Sequence, residues 1–300
     1  MFGVADGLLN RDLENEVFKC LSVAGISPKL IGQTSWGRFE EFLIDYYPLP
    51  SGLSLIQTGP DLDMVSLIAK QLCILHKTEL PLSREFANAD VFQVMTRWVS
   101  LASRYGDKIK ASSPESTPPT INQLEAEIKF VTETCLNTLR NHPRIKNSPF
   151  CMQLFSTVLC HNDMLSGNLL LKGKSLRLID FEYSGYNYAV ADIANLLCAV
   201  SESVLISGEP QDVKTNLAKD EIQLHLLQCY FGTSIPPTEQ TPLLAVIGGF
   251  LMADELRWTI WNVIQENQSL IAFDYCRCYN SRFHAYLDYK DMQARRLSML

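Results

Sequence analysis

The 300-residue sequence has no C-x-x-C pair among its nine cysteines. The cysteines are odd in number and scattered, so a stapled secreted scaffold is excluded; reduced thiols and a cytoplasmic location are expected. Cys276-Arg277-Cys278 with His284 nearby is too tightly spaced for a four-ligand zinc centre. Basic residues are in deficit, 26 against 33 acidic ones, giving a net charge of −7. That balance excludes binding to nucleic acid driven by phosphate neutralisation and suits a small cationic ligand. Long apolar runs are missing too. The longest, Leu243 to Ala253, has eleven residues, too few to span a bilayer and right for a buried helix. The N-terminal MFGVADGLLNRD has no basic region before a long apolar core, so no signal peptide is expected. Internal repeats are absent. With 47% hydrophobic and 20% charged residues, the chain can bury a sizeable core and is not of the disordered class.

What is present centres on Leu159 to Glu182, LCHNDMLSGNLLLKGKSLRLIDFE. His161, Asn162 and Asp163 come first. Asn168 follows Asp163 by five residues, and Asp180 follows Asn168 by twelve. Leu169-Leu170-Leu171 and Leu176 to Ile179 read as two short strands, with Lys172-Gly173-Lys174-Ser175 as the turn. Such a hairpin brings Asn168 and Asp180 together. The spacing is that of the protein-kinase catalytic loop, H-R-D-x-x-x-x-N, followed by a metal-binding Asp-Phe-Gly. Phosphoryl transfer needs those parts: a carboxylate to orient and deprotonate a hydroxyl, and oxygen ligands for magnesium. Taken singly, HND is a common turn tripeptide and an Asp after a strand is often a helix cap; the ordered set carries the reading. A P-loop does not fit, because five residues rather than four separate Gly167 from Gly173-Lys174-Ser175, in a strand–turn–strand setting.

Along the chain, Met1 to Leu9 reads as the tail of a strand and a turn. Arg11 to Ala24 reads as a helix with Glu14, Phe18 and Leu21 on one face, stopped by Gly25. Lys29 to Thr34 and Arg38 to Ile44 read as strands around Ser35-Trp36-Gly37, and Tyr46 to Pro50 as a Pro-bearing connection. Helices are expected over Asp63–Leu75, Val91–Arg104, Ile121–Asn141, Asp192–Val200, Glu221–Phe231, Pro242–Gln265 and Phe273–Tyr289. Loops are expected over Ala111–Thr120 and Ser201–Lys219. His76, at a helix end, reads as a capping or core histidine rather than a ligand.

The segments CHNDMLSGNLLL, IDFEYSGYNYAVADIAN, SPKLIG, GRFEEFL and WTIW followed by AFDY and RF resemble the choline/ethanolamine kinase family over nearly the whole chain. The resemblance implies an α+β, protein-kinase-like two-lobe fold: a truncated N-terminal lobe over 1–45 and a mostly helical C-terminal lobe over 46–300. It implies Asp163 as the catalytic base, Asn168 and Asp180 as magnesium ligands, and Asp192 as a buried anchor of the catalytic loop. Trp36, Gly37, Arg38, Phe39, Glu40, Glu41 and Phe42 match the nucleotide-binding strand and hinge. Glu14 matches the helix Glu that pairs with a basic residue on strand three. Trp258 and Trp261 match aromatic walls of the amine pocket, with Asp163, Glu182 and Tyr279 as further substrate contacts. The two Trp share a helix face at i and i+3, where aromatic faces can hold a quaternary ammonium by cation–π attraction.

Three departures from the family pattern stand out. The strand-three basic residue would lie just before Met1, which leaves Glu14 without a visible partner. Leu196, Ala199, Val200 and Ser201 stand where the family has an acidic residue and aromatics. An aromatic of the pocket falls on Cys278, with Tyr279 one residue off. The expected function is ATP- and magnesium-dependent phosphorylation of the hydroxyl of choline or of ethanolamine, at the entry to phospholipid synthesis. The segment from Gly37 to Phe42 leans to the choline branch. Two alternatives stay open: a catalytically silent binding partner of an active kinase subunit, and an aminoglycoside-type phosphotransferase. The partner expected is a small amino alcohol, with no nucleic acid and no membrane insertion; a homodimer stays open.

Overall fold

A computed structural model describes residues 7–49, 63–108, 118–207 and 219–300. The expected strand tail before Gly7, most of the 111–120 loop and residues 208–218 lie outside the described residues.

The first helix, α1 (Arg11–Val23), starts where the Asn10 side chain accepts the Leu13 N–H, and buries Glu14, Val17, Phe18 and Leu21. Gly25 follows at φ +72°, a left-handed conformation that ends the helix without steric cost. Strands β1 (Leu30–Thr34) and β2 (Gly37–Glu40) pair antiparallel, with Thr34 opposite Gly37. The chain after Glu40 leaves the ladder, so the expected strand to Ile44 is shorter. It re-pairs as β3 (Tyr47–Pro48).

Helices α2 (Met64–His76), α3 (Val91–Ala102) and α4 (Ile121–Thr132) follow the apolar periodicity of their sequences. Helix α4 opens on a Thr120–Gln123 capping box and runs on through a wider π-helical stretch, Glu133–Leu139. Two short helices, α5 (Pro143–Lys146) and α6 (Pro149–Leu154), lead to β4 (Thr157–Cys160). The central hairpin is β5 (Leu169–Lys172) and β6 (Ser175–Leu178), closed by Gly173-Lys174 with Gly173 at φ +60°. Strand β3 adds to its outer edge through β5.

Strands β4 and β7 (Gly185–Tyr188) form a second antiparallel pair, which the sequence reading passed over. Both are four residues long and GYNY has a polar centre, so alternation is too brief to read. Gly185 is required there: a Cβ would stand 2.6 Å from the Ala87 carbonyl oxygen.

Helix α7 (Ala189–Ser207) begins before Asp192 and continues through 201–207, where a loop was expected. Ser is only a middling helix former but cheap to carry once a helix is nucleated, and Glu202 and Leu205 favour it; the strong breakers, Gly208 and Pro210, come after. Helix α8 (Asp220–Phe231) is capped by Gly232 at φ +68°. Helix α9 (Pro237–Gln268) starts five residues ahead of Pro242, with Pro237 at its first turn. Helix α10 (Tyr275–Ser298) runs well past the expected end at Tyr289.

The 32-residue α9 is the spine of the molecule. It packs on α10, α7 and α3, and its apolar run Leu243–Ala253 is buried, as expected, except for the half-buried Leu244. Among the described residues no helix is long and apolar enough to cross a membrane.

Candidate active site

The catalytic-type loop His161–Asn168 leaves β4 and is held from below by a single carboxylate. Asp192, fully buried in the first turn of α7, accepts the backbone N–H of His161 at 2.7 Å and of Asn162 at 2.7 Å. His76, at the end of α2, meets the same carboxylate at 3.1 Å and the Tyr230 hydroxyl at 2.8 Å. His76 is thus the core histidine its position suggested. Hydrogen bonds to the ionised form hold the Asp192 carboxyl below its usual range against strong desolvation, the His76 bond foremost.

Further contacts fix the loop's shape. Asn162 sits at φ +64° and Asp180 at φ +63°, the left-handed region that Asn and Asp tolerate better than other side chains. The Asn162 side chain donates to the Tyr183 carbonyl and accepts from Asn187 at 2.8 Å. Nε2 of His161 donates to the Ile179 carbonyl at 2.9 Å, which links the loop to the start of the metal-type turn. Burial lowers the His161 pKa, so the imidazole is neutral, and this bond selects the Nε2–H tautomer.

Asp163 is 7% exposed, and its carboxylate accepts the Asn168 side-chain N–H at 2.9 Å. The hairpin does what its spacing implied. The Ile179 N–H donates to the Asn168 carbonyl at 3.1 Å, so Asn168 and Asp180 stand at the open end of one ladder. Two oxygen donors there suit a hard cation. With its amide N–H groups turned to Asp163, Asn168 has its side-chain oxygen left for another partner. Desolvation, opposed by His161, raises the Asp180 pKa, a cost that a bound cation would relieve. The donor set therefore fits magnesium.

On the other side of Asp163 lies a cavity of about 340 Å³. Glu182, Tyr183, Trp258, Trp261 and Tyr275 line it with Asp163. Trp258 and Trp261 meet edge to face at 5.4 Å, and the Trp261 indole N–H donates to the Tyr183 hydroxyl at 2.8 Å. Glu182 has its pKa pushed up to about 7, by desolvation first and then by the Asp180 charge, with Arg11 opposing. Tyr279 does not line the cavity. It is fully buried in the core with its hydroxyl on Cys276, and Cys278 and Tyr275 face the cavity in its place. The helix turns 100° per residue, so a one-residue offset moves a side chain from wall to core. A larger cavity, about 470 Å³, lies between α1 and α3 on the far face of Glu182–Tyr183 and does not touch Asp163.

Glu14 is not without partners, contrary to the expectation. It is buried, ion-paired to Arg38 of β2 at 2.8 Å and to Arg11 one turn back on its own helix. Arg11 also reaches Glu182 at 3.3 Å, and Arg38 binds Glu40 and lies over the Phe18 ring at 4.2 Å. The rest of the expected nucleotide segment is open to solvent: Trp36 is 78%, Phe39 51% and Phe42 86% exposed. Gly37 closes the turn opposite Thr34, and the Glu41 carboxylate accepts the Lys29 N–H at 3.1 Å.

The sequence reading missed a second brace. Arg257, beside Trp258 on α9, donates to the Asn162 carbonyl at 2.8 Å and to Asp254 at 2.9 Å. Asp254 in turn receives the Asn195 amide, whose oxygen accepts the Met164 N–H. The guanidinium also lies 4.7 Å from the Trp258 ring centroid. Arg282, paired to Glu255 at 3.0 Å, lines the aromatic cavity. A signal existed. Asp254, Glu255 and Arg257 are three charges directly after the longest apolar run of the chain, and buried charges need built partners.

Comparison with known proteins agrees with this geometry. The family model for choline/ethanolamine kinases matches residues 3–287. Mouse choline kinase alpha is 28% identical over 93% of this chain and 60% of its own length. Human choline/ethanolamine kinase is 27% identical over 96% of this chain and 70% of its own. The chain thus spans roughly two thirds of the length of these relatives. Among solved structures, Plasmodium vivax ethanolamine kinase superposes with a TM-score of 0.72 at 23% identity, over 95% of this chain and 76% of that one. Choline kinase from Cryptosporidium parvum superposes with a TM-score of 0.72 at 22% identity, over 97% and 80%. These two share the fold, α+β and protein-kinase-like. With its family model matched from one end of the described residues almost to the other, the chain belongs to the choline/ethanolamine kinase family.

Proposed function

We propose that the protein transfers the γ-phosphoryl group of ATP to the hydroxyl of choline, and less readily of ethanolamine. The observation that carries this reading is the position of Asp163. Its carboxylate touches Asn168, one of the two candidate magnesium ligands, and also lines the aromatic cavity. A hydroxyl in that cavity would stand beside a base and face the phosphate side at once.

In the reaction, Asp163 orients the substrate hydroxyl and accepts its proton. The alcohol oxygen forms a bond to the γ-phosphorus while the bond to the β-phosphate oxygen breaks, releasing ADP. Asn168 and Asp180 would hold magnesium, which neutralises charge on the phosphates when bound. Asp192 and Arg257 keep the loop carbonyls and amides in register, so Asp163 needs no rearrangement as charge shifts. Glu14, Arg38 and the strand segment from Trp36 to Phe42 belong to the nucleotide side of this reading, in the lobe over residues 1–45.

The cavity walls support choline over ethanolamine. Tyr183, Trp258, Trp261, Phe273 and Tyr275 offer aromatic faces, which favour a poorly hydrated trimethylammonium. A primary ammonium needs three acceptors when buried. Among the described lining residues the carboxylates are Asp163 and Glu182, and Arg282 adds a positive charge. Ala199, where the family pattern has an acid, is packed in the core.

The test is a phosphorylation assay of the full-length protein with choline, ethanolamine and an aminoglycoside. Choline is expected to give the highest kcat/KM. Asp163→Ala is expected to cut turnover by roughly 10²–10⁴. Turnover of Asp163→Ala within a few-fold of the parent would remove Asp163 from the chemistry. A higher kcat/KM for ethanolamine would reverse the choice of amine.

A further inference from the structure

Away from the kinase-type cleft, α8 brings a histidine and a cysteine to the start of α2. His225 and Cys229 are one helical turn apart, at i and i+4, and so share a face. That face meets Asp63, the N-cap of α2. Nε2 of His225 lies 3.2 Å from an Asp63 carboxylate oxygen, and the Cys229 sulfur lies 3.9 Å from the same imidazole nitrogen. All three donor atoms fall within 4.8 Å of one another.

We propose that Asp63, His225 and Cys229 form a three-ligand site for a zinc-type transition-metal ion. A tetrahedral zinc ion, with bonds of about 2.0 Å to nitrogen and oxygen and about 2.3 Å to sulfur, holds its donors roughly 3.3–3.6 Å apart. The imidazole–carboxylate distance of 3.2 Å is close to that range, and the sulfur, 3.9 Å from the imidazole nitrogen, is a few tenths of an ångström beyond it, within reach of a side-chain rotation. One nitrogen, one sulfur and one oxygen form a borderline-soft set that selects zinc over magnesium or calcium. The site is half-buried, with the His225 and Asp63 side chains 42% and 38% exposed, so an ion has an entry path and a water can complete the tetrahedron.

The Asp63 ligand is also held from behind: the Ser66 backbone N–H donates to its second carboxylate oxygen at 3.2 Å. Outer partners of this kind orient ligands and tune affinity. The contrast with the other three-donor group is informative. His76, Cys160 and Asp192 are equally close, but both Asp192 oxygens are taken up by backbone N–H groups and His76, in a fully buried setting. That group is a structural anchor, its carboxylate already engaged by three donors.

An ion at Asp63, His225 and Cys229 would clamp α2 to α8. These are the helices that carry His76 and Tyr230, the outer supports of Asp192.

The test uses the reduced, chelator-stripped full-length protein. Titration with cobalt(II) is expected to give tetrahedral d–d bands and a thiolate charge-transfer band that saturate at one equivalent, are displaced by zinc and are unmoved by excess magnesium. Cys229→Ser is expected to abolish the charge-transfer band and weaken zinc at least tenfold. In the unmodified protein, zinc is expected to slow alkylation of Cys229 at least tenfold, read residue by residue by mass spectrometry; this arm needs no variant to fold. Absence of the one-equivalent cobalt spectrum, the same spectrum in Cys229→Ser, or an alkylation rate of Cys229 that zinc does not change would each overturn the proposal.

Discussion

The catalytic-type loop and the β1–β2 hairpin are built on opposite terms. In the loop, His161, Asn162 and Asp163 are all buried, and carboxylate, amide and guanidinium partners arrive from α7, β7 and α9. In the hairpin, Trp36 and Phe39 stand in solvent, as does Phe42 just beyond it, and order comes from a short ladder and from ion pairs around Arg38. On the proposed function, the difference follows from what each would do. A base in phosphoryl transfer has to be held within a fraction of an ångström of its productive position, which requires buried, mutually satisfied polar groups. A surface that receives a flat, polar ring needs accessible backbone and apolar area, and gains little from being rigid before the ligand arrives.

Breaking the loop side should produce the largest effect. Asp192→Ala leaves two buried backbone N–H groups and His76 without their acceptor, at about 1–3 kcal/mol for each orphaned donor. A total loss of about 3–5 kcal/mol in urea unfolding is expected, with turnover falling in the fraction that stays folded. Unfolding at the parent midpoint would mean the loop is held elsewhere.

An intermediate effect is expected from pH. The Glu182 carboxyl is raised from its ordinary 4.5 to about 7, so it gains a proton as pH falls through neutrality. If its charged form receives the amine, affinity should fall roughly tenfold between pH 8 and pH 6, following the ionised fraction. A bound cation pulls that midpoint lower. Glu182→Gln should flatten the profile; an unchanged profile in that variant would take Glu182 out of amine binding.

The smallest effect belongs to the hairpin. Phe39→Ala removes a half-exposed ring and one edge contact to Trp36 at 5.8 Å. Stability is expected to stay within about 0.5 kcal/mol of the parent. A loss several times larger would make the hairpin part of the core and erase the contrast.

The central stretch was readable because its logic is local. Asn168 and Asp180 meet through a hairpin whose strands and turn lie within twelve residues, and Leu169 and Leu178 pair as alternation requires. Helix α1 was readable from its apolar face, including the burial of Glu14, but not from its charges. The partners of Glu14 are Arg11, one turn away, and Arg38, 24 residues on, and only the fold of β2 against α1 brings the second within reach. Tyr279 shows the limit of positional matching: on a helix, one residue decides between a cavity wall and the core.

The sequence by itself determined the type of chemistry and the elements that carry it. Short-range spacing sets which side chains leave the same turn or hairpin, and backbone geometry makes those relations nearly independent of context. Tertiary structure decided which charges are paired, which aromatics face a cavity, and how the loop is braced. Those outcomes rest on contacts such as Arg257 to Asn162, 95 residues apart, and His76 to Asp192, 116 residues apart. At such separations no local preference specifies the partner. The pairing is selected because a buried charge or amide left without one would cost more than the fold can spare.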